Sequence, residues 1–194
     1  MKSGEQQPRS TTLQQHATKI LQTLKLRNET IGTAESLTGG LVSAALTDIP
    51  GSSAVMKAGV VAYSNETKAH LLGVSLRVLD SVGPVSFECA KGMAEGALQA
   101  CKTDWAIATT GFAGNITESQ LESEQSPPPQ QQDSRASADG NQSGLVFIHV
   151  CGPRDISLSR RLQFCSRNTR TQNRVSAVES ALELMVEALE TAMI

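Results

Sequence analysis

The segment that organises the chain reads Thr33-Ala34-Glu35-Ser36-Leu37-Thr38-Gly39-Gly40. Apolar residues over 30–34 favour a buried strand before it, and the small residues from Leu41 to Leu46 favour a helix after it. A strand that turns directly into a helix exposes free backbone N–H groups at the turn, where Ser36 would lie. Glycines there let a ligand approach the backbone. The turn suits a phosphate cradle or a nucleophile beside an oxyanion site. Taken alone, however, this stretch favours a plain capped helix after a buried strand, because such turns are common in α/β folds.

The rest of the chain alternates strand-like and helix-like segments. Apolar residues at 3–4 spacing predict the helices, and apolar runs or alternation bounded by turn residues predict the strands. We predict helices at 12–26, 41–48, 65–72, 75–82, 86–102 and 171–193, and strands at 30–34, 55–63, 104–110, 144–150 and 156–164. This order predicts one domain over residues 12–194. Its fold would be a three-layer α/β/α sandwich with a mainly parallel, mixed sheet whose antiparallel hairpin lies at one edge.

Two segments differ from this globular pattern. Residues 115–143 contain three consecutive prolines at 127–129, many Gln, Ser, Glu and Asp residues, and no aromatic residue. Such a composition cannot bury enough apolar surface to offset the entropy of ordering, so we predict a disordered insertion inside the domain. Residues 1–11 are polar and lack the apolar region of a signal peptide, which predicts a flexible N-terminus.

Bulk composition excludes several classes of function. A net charge of −2 gives no electrostatic support for binding nucleic acid or a membrane surface, and 3% aromatic residues argue against a base-stacking platform. The four cysteines form no C-x-x-C pair and no zinc-like spacing with the three histidines. No apolar run is long enough to cross a bilayer. We therefore expect reduced thiols, no metal site and a cytoplasmic protein.

Chemically useful residues follow three of the predicted strands. Ser36 follows the first strand, the stretch from Tyr63 to Lys68 follows the second, and Gly111 to Gly114 follow the third. Ligands of α/β proteins bind at the carboxyl ends of their strands. The sequence therefore predicts a single site where these three segments meet.

Four motifs occur in a fixed order along the chain. They are residues 33–40, Asp48-Ile49-Pro50-Gly51-Ser52-Ser53, Gly59-Val60-Val61-Ala62-Tyr63-Ser64-Asn65-Glu66-Thr67-Lys68 and Thr110-Gly111-Phe112-Ala113-Gly114. Together they resemble the CinA C-terminal domain family, the nicotinamide-mononucleotide amidases, over residues 12–192. The resemblance implies an α/β/α amidohydrolase that converts nicotinamide mononucleotide and water into nicotinate mononucleotide and ammonia. It also implies a small nucleotide as substrate, no metal and no cofactor.

The resemblance assigns catalytic roles to three residues. Ser36 matches the nucleophile and Lys68 the general base, with Tyr63 beside them. A lysine accepts a proton only when it is neutral, so burial or a nearby cation must lower its pKa. Without the resemblance, the residue pattern predicts an exposed helix lysine at 68 and a half-buried tyrosine at the edge of the core.

Substrate contacts are assigned on the same basis. The family has a Phe-x-Gly-Asp-Arg turn that supplies a pocket arginine before the last helix, and Arg170 and Arg174 keep the four-residue spacing of that region. One helical turn would place both arginines on one face, suited to a phosphate, whereas the pattern alone equally allows two solvated arginines. The substrate-binding residues are predicted to be Glu35, Thr38, Gly39, Gly40, Thr110, Gly111, Gly114, Arg170 and Arg174.

Three functional hypotheses follow. The presence of Ser36, Tyr63 and Lys68 favours an active amidohydrolase of pyridine nucleotide salvage. Asn115 follows Gly114 where the family continues with Pro and a Gly-Gly pair, which favours a catalytically weak relative that binds a nucleotide or acts as an interaction module. The third hypothesis is a serine hydrolase with another amide substrate. A homo-oligomer is compatible with each of them.

Overall fold

The computed structural model describes residues 11–114, 143–165 and 167–192. Its helices are α1 (Thr11–Arg27), α2 (Leu41–Thr47), α3 (Asn65–Leu72), α4 (Leu76–Ser81), α5 (Phe87–Cys101) and α6 (Arg170–Thr191). Its strands are β1 (Ile31–Glu35), β2 (Met56–Val61), β3 (Trp105–Gly111), β4 (Leu145–Gly152) and β5 (Ile156–Gln163), and a short 3-10 helix spans Ser52–Ala54. Every predicted helix and strand is present, with bounds that differ by at most two residues.

The two segments predicted to be disordered fall almost entirely outside the described residues. These are residues 1–10 and 115–142, so those predictions stay untested. Thr11, placed in the flexible N-terminus from the sequence, is the first residue of α1. Ser143, placed in the insertion, is buried, and its carbonyl accepts a hydrogen bond from Gln163 Nε2 at 2.8 Å. Both boundary residues therefore belong to the ordered fold.

The strands form one sheet in the order β2-β1-β3-β4-β5. The pairs β1–β2 and β1–β3 are parallel, whereas β3–β4 and β4–β5 are antiparallel. The predicted α/β fold with a mixed sheet is confirmed. The parallel and antiparallel pairings of the described strands are equal in number, because the β4–β5 hairpin adds one pairing at the edge and a second where it joins β3.

Helices cover both faces of the sheet and create two separate cores. One core lies beneath α1, α2 and α6 and takes the large side chains of β3, Trp105 and Ile107. The other lies beneath α3, α4 and α5 and takes the alternating small residues of the same strand, Ala106 and Ala108. This two-residue alternation is what a strand buried on both faces requires. The three-layer α/β/α arrangement is therefore confirmed.

The topology brings three strand ends to one edge of the sheet. Because β1, β2 and β3 are parallel, Glu35 at the end of β1 is paired with Val61 on one side and Thr109 on the other. The start of α6 reaches the same edge, since a Cβ added to Gly114 would lie 3.4 Å from the Cβ of Arg170. The predicted site segments therefore converge in space.

Candidate functional site

Ser36 occupies a tight turn between β1 and α2. Its N–H donates to the carbonyl of Thr109 at 2.9 Å, and its own carbonyl accepts from the N–H of Gly39 at 3.1 Å. The next polar side chain, Thr38, shares a hydrogen bond of 2.7 Å with the hydroxyl of Thr109. Strand β3 therefore holds the turn at two points, and Ser36 is left with 8% of its surface exposed.

Glu35 anchors the beginning of α2. Its side chain is 1% exposed, and its carboxylate accepts hydrogen bonds of 2.8–3.0 Å from the backbone N–H groups of Gly40, Val42 and Ser43. A carboxylate satisfies helix-terminal N–H groups and is favoured there by the helix dipole. The carboxylate assigned to substrate binding from the sequence thus binds this chain's own backbone and occupies the end of α2.

A glycine on β2 makes room for this network. The hydroxyls of Thr33 and Ser43 lie 2.6 Å apart, and the Ser43 hydroxyl donates to Glu35 at 2.7 Å. A Cβ on Gly59 would clash with the Ser43 hydroxyl oxygen and lie 2.8 Å from that of Thr33. The glycine in the third motif is therefore explained by close packing against a buried polar cluster.

Lys68 extends from α3 to Ser36. Ser64 caps α3 by accepting from the N–H of Thr67, so the helix begins directly after β2. This start places Lys68 one turn inside α3, with 2% of its surface exposed. Its Nζ donates to Ser36 Oγ at 3.2 Å and to the carbonyl of Tyr63 at 3.2 Å. The residue pattern alone predicted that Lys68 is exposed on its helix, and that prediction is wrong.

The surroundings of Lys68 favour its neutral form. Burial lowers the pKa of Lys68 below 10.5, and the carboxylate of Glu66, together with Cys89 where it is ionised, opposes that shift only in part. Both groups that accept hydrogen bonds from Nζ are uncharged. Cys89 itself stays a neutral thiol, because burial raises its pKa to about 11. A neutral amine within hydrogen-bonding distance of a serine hydroxyl is the arrangement that a general base requires.

Tyr63 and Arg170 form the exposed rim of the site. The side chain of Tyr63 is 62% exposed rather than half-buried, and its hydroxyl accepts from Arg170 at 2.8 Å. Arg170 is the first residue of α6, directly after the Thr169 cap. The backbone carbonyl of Tyr63 therefore contacts Lys68, while the Tyr63 side chain faces Arg170 and solvent.

Arg174 lies one turn further along α6 and contacts the Ser36 turn. Its Nε donates to the carbonyl of Leu37 at 3.0 Å, and a terminal nitrogen donates to the carbonyl of Thr38 at 2.9 Å. Gly39 adopts φ +60°, and a Cβ there would lie 3.1 Å from the guanidinium. Within the described residues, Arg174 donates hydrogen bonds to backbone carbonyls, whereas Arg170 donates to a side-chain hydroxyl.

The remaining residues predicted to bind substrate all lie near the site, but not all of their side chains face it. Gly40, at φ 94°, is the N-cap of α2, and Gly111 lies at the end of β3 beside Val146 of β4. The Thr110 hydroxyl donates to the carbonyl of Pro84 at 2.6 Å, so it is already engaged. Each of these residues lies at the site edge, but the Thr110 side chain is directed into the protein.

Sequence reasoning missed a buried amide in α6. Asn173 is fully buried, donates to the carbonyl of Ala113 at 2.8 Å and accepts from Asn168 at 3.0 Å. It thereby attaches the second glycine-rich turn to the helix that carries both arginines. The available signal was a polar residue on the apolar stripe of that helix.

Over residues 11–114, 143–165 and 167–192, no three His, Cys, Asp or Glu side chains are grouped so as to hold a metal ion. Within the same ranges, no helix combines the length and apolar character needed to span a bilayer. All four cysteines are free.

Comparison with known proteins identifies the family. The sequence matches the CinA C-terminal domain over residues 13–124, more than half of the chain. The chain belongs to the CinA C-terminal domain family. A CinA-like protein of a Synechococcus strain is 39% identical over 170 residues, which cover 87% of this chain and 36% of that protein. A CinA-like protein of Leptospira borgpetersenii is 54% identical over 85 residues, which cover 44% of this chain and 20% of that protein.

Solved structures of the family share the fold of this CinA domain. The competence/damage inducible protein CihA from Agrobacterium tumefaciens superposes with a TM-score of 0.80 at 30% identity, covering 94% of this chain and 99% of that one. A CinA superfamily protein from Klebsiella pneumoniae gives a TM-score of 0.76 at 27% identity, covering 92% and 98%. The matched regions cover 20% and 36% of the two curated relatives above, so this chain corresponds to only part of their length.

Proposed function

We propose that this CinA-family chain is an amidohydrolase that deamidates nicotinamide mononucleotide to nicotinate mononucleotide and ammonia. The observation that carries the proposal is the buried contact of 3.2 Å between Lys68 Nζ and Ser36 Oγ. A lysine whose pKa is lowered by burial beside a serine hydroxyl is an activated nucleophile pair. The family resemblance supplies the substrate.

The reaction follows from that pair. Neutral Lys68 takes the proton of Ser36 as Oγ attacks the carboxamide carbon, and a tetrahedral oxyanion forms. The Lys68 ammonium then gives the proton to the amide nitrogen, the C–N bond breaks and ammonia leaves. Water attacks the acyl-enzyme as Lys68 takes a proton from it. Ser36 Oγ departs and regains that proton, and nicotinate mononucleotide is released.

The oxyanion needs donors near Ser36. The N–H groups of Leu37 and Thr38 donate no hydrogen bond within the described part of the chain, so both can serve the oxyanion. The phosphate needs a cation at the rim, and Arg170 supports that role because it is exposed and bonded only to the Tyr63 hydroxyl in the described contacts.

The experiment is ammonia release from nicotinamide mononucleotide by the purified wild-type protein, Ser36→Ala, Lys68→Ala and the double variant. Loss of a general base should reduce turnover by about 10²–10⁴-fold. The double variant should be little worse than either single variant, because residues that act as one unit are not additive. Activity of the wild type should fall as the pH is lowered and Lys68 becomes protonated.

Matched controls are Ser53→Ala and Lys57→Ala, since both side chains are exposed and lie outside the site. Both should retain wild-type turnover. Near-normal ammonia release by Ser36→Ala would show that the nucleophile is misassigned. A wild type inactive at every pH would instead favour the catalytically weak, nucleotide-binding relative, which the sequence change after Gly114 supports.

A further inference from the structure

We infer that Arg174 is a positioning residue that fixes the turn after Ser36, so that the N–H groups of Leu37 and Thr38 are preorganised for the oxyanion. The inference rests on the proposed amidase function and changes the role of Arg174, which the sequence assigned to the substrate phosphate.

Arg174 contacts the turn after Ser36 directly. The Arg174 guanidinium donates to two consecutive carbonyls, those of Leu37 at 3.0 Å and Thr38 at 2.9 Å. Two charge-assisted hydrogen bonds from one planar group fix orientation as well as distance. Gly39 lies against the same guanidinium, and a side chain there would meet it at 3.1 Å. The helix and the turn are thus fitted to each other at this point.

The planar peptide group links the carbonyls of the turn to the N–H groups beside Ser36. In a planar trans peptide the C=O and N–H bonds point in opposite directions. The Leu37 carbonyl shares its peptide group with the N–H of Thr38, so Arg174 also fixes that N–H on the opposite side. The Ser36 carbonyl shares its peptide group with the N–H of Leu37 and is held by the N–H of Gly39 at 3.1 Å. Both N–H groups next to the nucleophile are therefore oriented by bonds on their carbonyl side.

Glu35 occupies the alternative oxyanion site at the start of α2. A helix N-terminus normally offers free N–H groups, but Glu35 accepts from that of the N-cap Gly40 and from those of Val42 and Ser43 in the first turn of α2. Among the described residues, the turn N–H groups that lack an acceptor next to Ser36 are those of Leu37 and Thr38. In hydrolases with a nucleophile between strand and helix, the N–H of the following residue forms part of the oxyanion hole. Here that residue is Leu37.

The kinetic test separates positioning from phosphate binding. Arg174→Met removes both donors and keeps the aliphatic volume, and Arg174→Lys retains one donor. Removal of a single oxyanion donor costs about 10²–10³ in kcat, so Arg174→Met should lower kcat by about 10-fold or more, with KM within about twofold. Arg174→Lys should recover part of the loss. The acid limb of the pH profile should not move, because Lys68 sets it. An unchanged kcat with a raised KM would overturn the inference.

A second measurement does not depend on turnover. Hydrogen exchange of the peptide covering residues 31–46 should be faster in Arg174→Met, because the Gly39 N–H is protected only while the turn is held. The control is Arg27→Met, which also removes a guanidinium bond to a backbone carbonyl, that of Leu189 at 3.0 Å. It should leave kcat, KM and exchange of residues 31–46 unchanged. Unchanged exchange in Arg174→Met would overturn the inference, whereas absence of ammonia release by the wild type would refute only the proposed function.

Discussion

The burial of Lys68 costs stability but favours its proposed role as a base. Lys68 is 2% exposed, and within the described part of the chain its amine donates to two uncharged groups. Burial disfavours the ammonium form and lowers the pKa. The same desolvation makes the neutral base available to Ser36. Residues of this kind are expected where function is selected at the expense of stability.

This conflict predicts different stabilities for two substitutions at position 68. Lys68→Met keeps most of the buried volume and removes the amine, so we expect a free energy of unfolding equal to or above that of the wild type. Lys68→Ala leaves a cavity, and we expect it to be about 2–3 kcal/mol less stable than Lys68→Met. Urea unfolding at pH 7 measures both, and ammonia release should be lost in each. A Lys68→Met protein that unfolds more easily than Lys68→Ala would show that the amine stabilises the fold.

For the individual site residues, the sequence predicted which of them lie close together but not what surrounds them. Motif order was sufficient to place Ser36 and Lys68 in one site, because both follow parallel strands. The burial of Lys68 depends on α5 covering it, and the engagement of Glu35 depends on how closely α2 approaches β1. Such contacts are set by packing between distant segments, so residue spacing alone did not reveal them.

Among the elements, α6 brings the cations to the site. It begins with a reciprocal cap, in which Thr169 accepts from the N–H of Gln172 and the Gln172 side chain accepts from the N–H of Thr169. This T-x-x-Q pattern is a signature of helix starts, and it fixes the first turn of α6 at the rim. Arg170 is consequently presented to solvent beside Tyr63, while Arg174 is directed at the Ser36 turn.

The position of Arg170 predicts phosphate recognition. Arg170→Ala should weaken binding of nicotinamide mononucleotide by about 10- to 150-fold, the equivalent of a charged hydrogen bond of about 1.5–3 kcal/mol. Nicotinamide riboside lacks the phosphate, so its affinity should change little. Calorimetry with both ligands in a Ser36→Ala background measures this without turnover. Arg167→Ala, an exposed arginine three residues earlier, is the control. Equal losses for the two ligands would exclude the phosphate assignment.

For the whole molecule, alternating strands and helices predicted the layers, and the hairpin predicted the antiparallel edge. The sequence did not reveal that the hydroxyl-bearing face of β5 covers a buried histidine of β4. His149 of β4 is 1% exposed and lies between two hydroxyls of β5, with Nδ1 2.7 Å from Ser159 Oγ and Nε2 3.2 Å from Ser157 Oγ. Burial, with a smaller contribution from Lys91 of α5, lowers the pKa of His149 to about 4.

That histidine makes the global stability depend on pH. An unfolded histidine has a pKa of about 6.5, so between pH 6.5 and 4 the unfolded chain binds a proton that the folded chain does not. Acidification across this window should reduce the free energy of unfolding by about 3 kcal/mol through His149, with no further loss from this group below pH 4.

Urea unfolding measured from pH 7.5 to 4 should show a decrease in the free energy of unfolding that is smaller by about this amount in His149→Gln than in the wild type. His70→Gln, which removes an exposed histidine of α3, is the matched control and should follow the wild type. Identical pH dependence of the wild type and His149→Gln would mean that His149 is protonated in the folded protein as readily as in the unfolded chain.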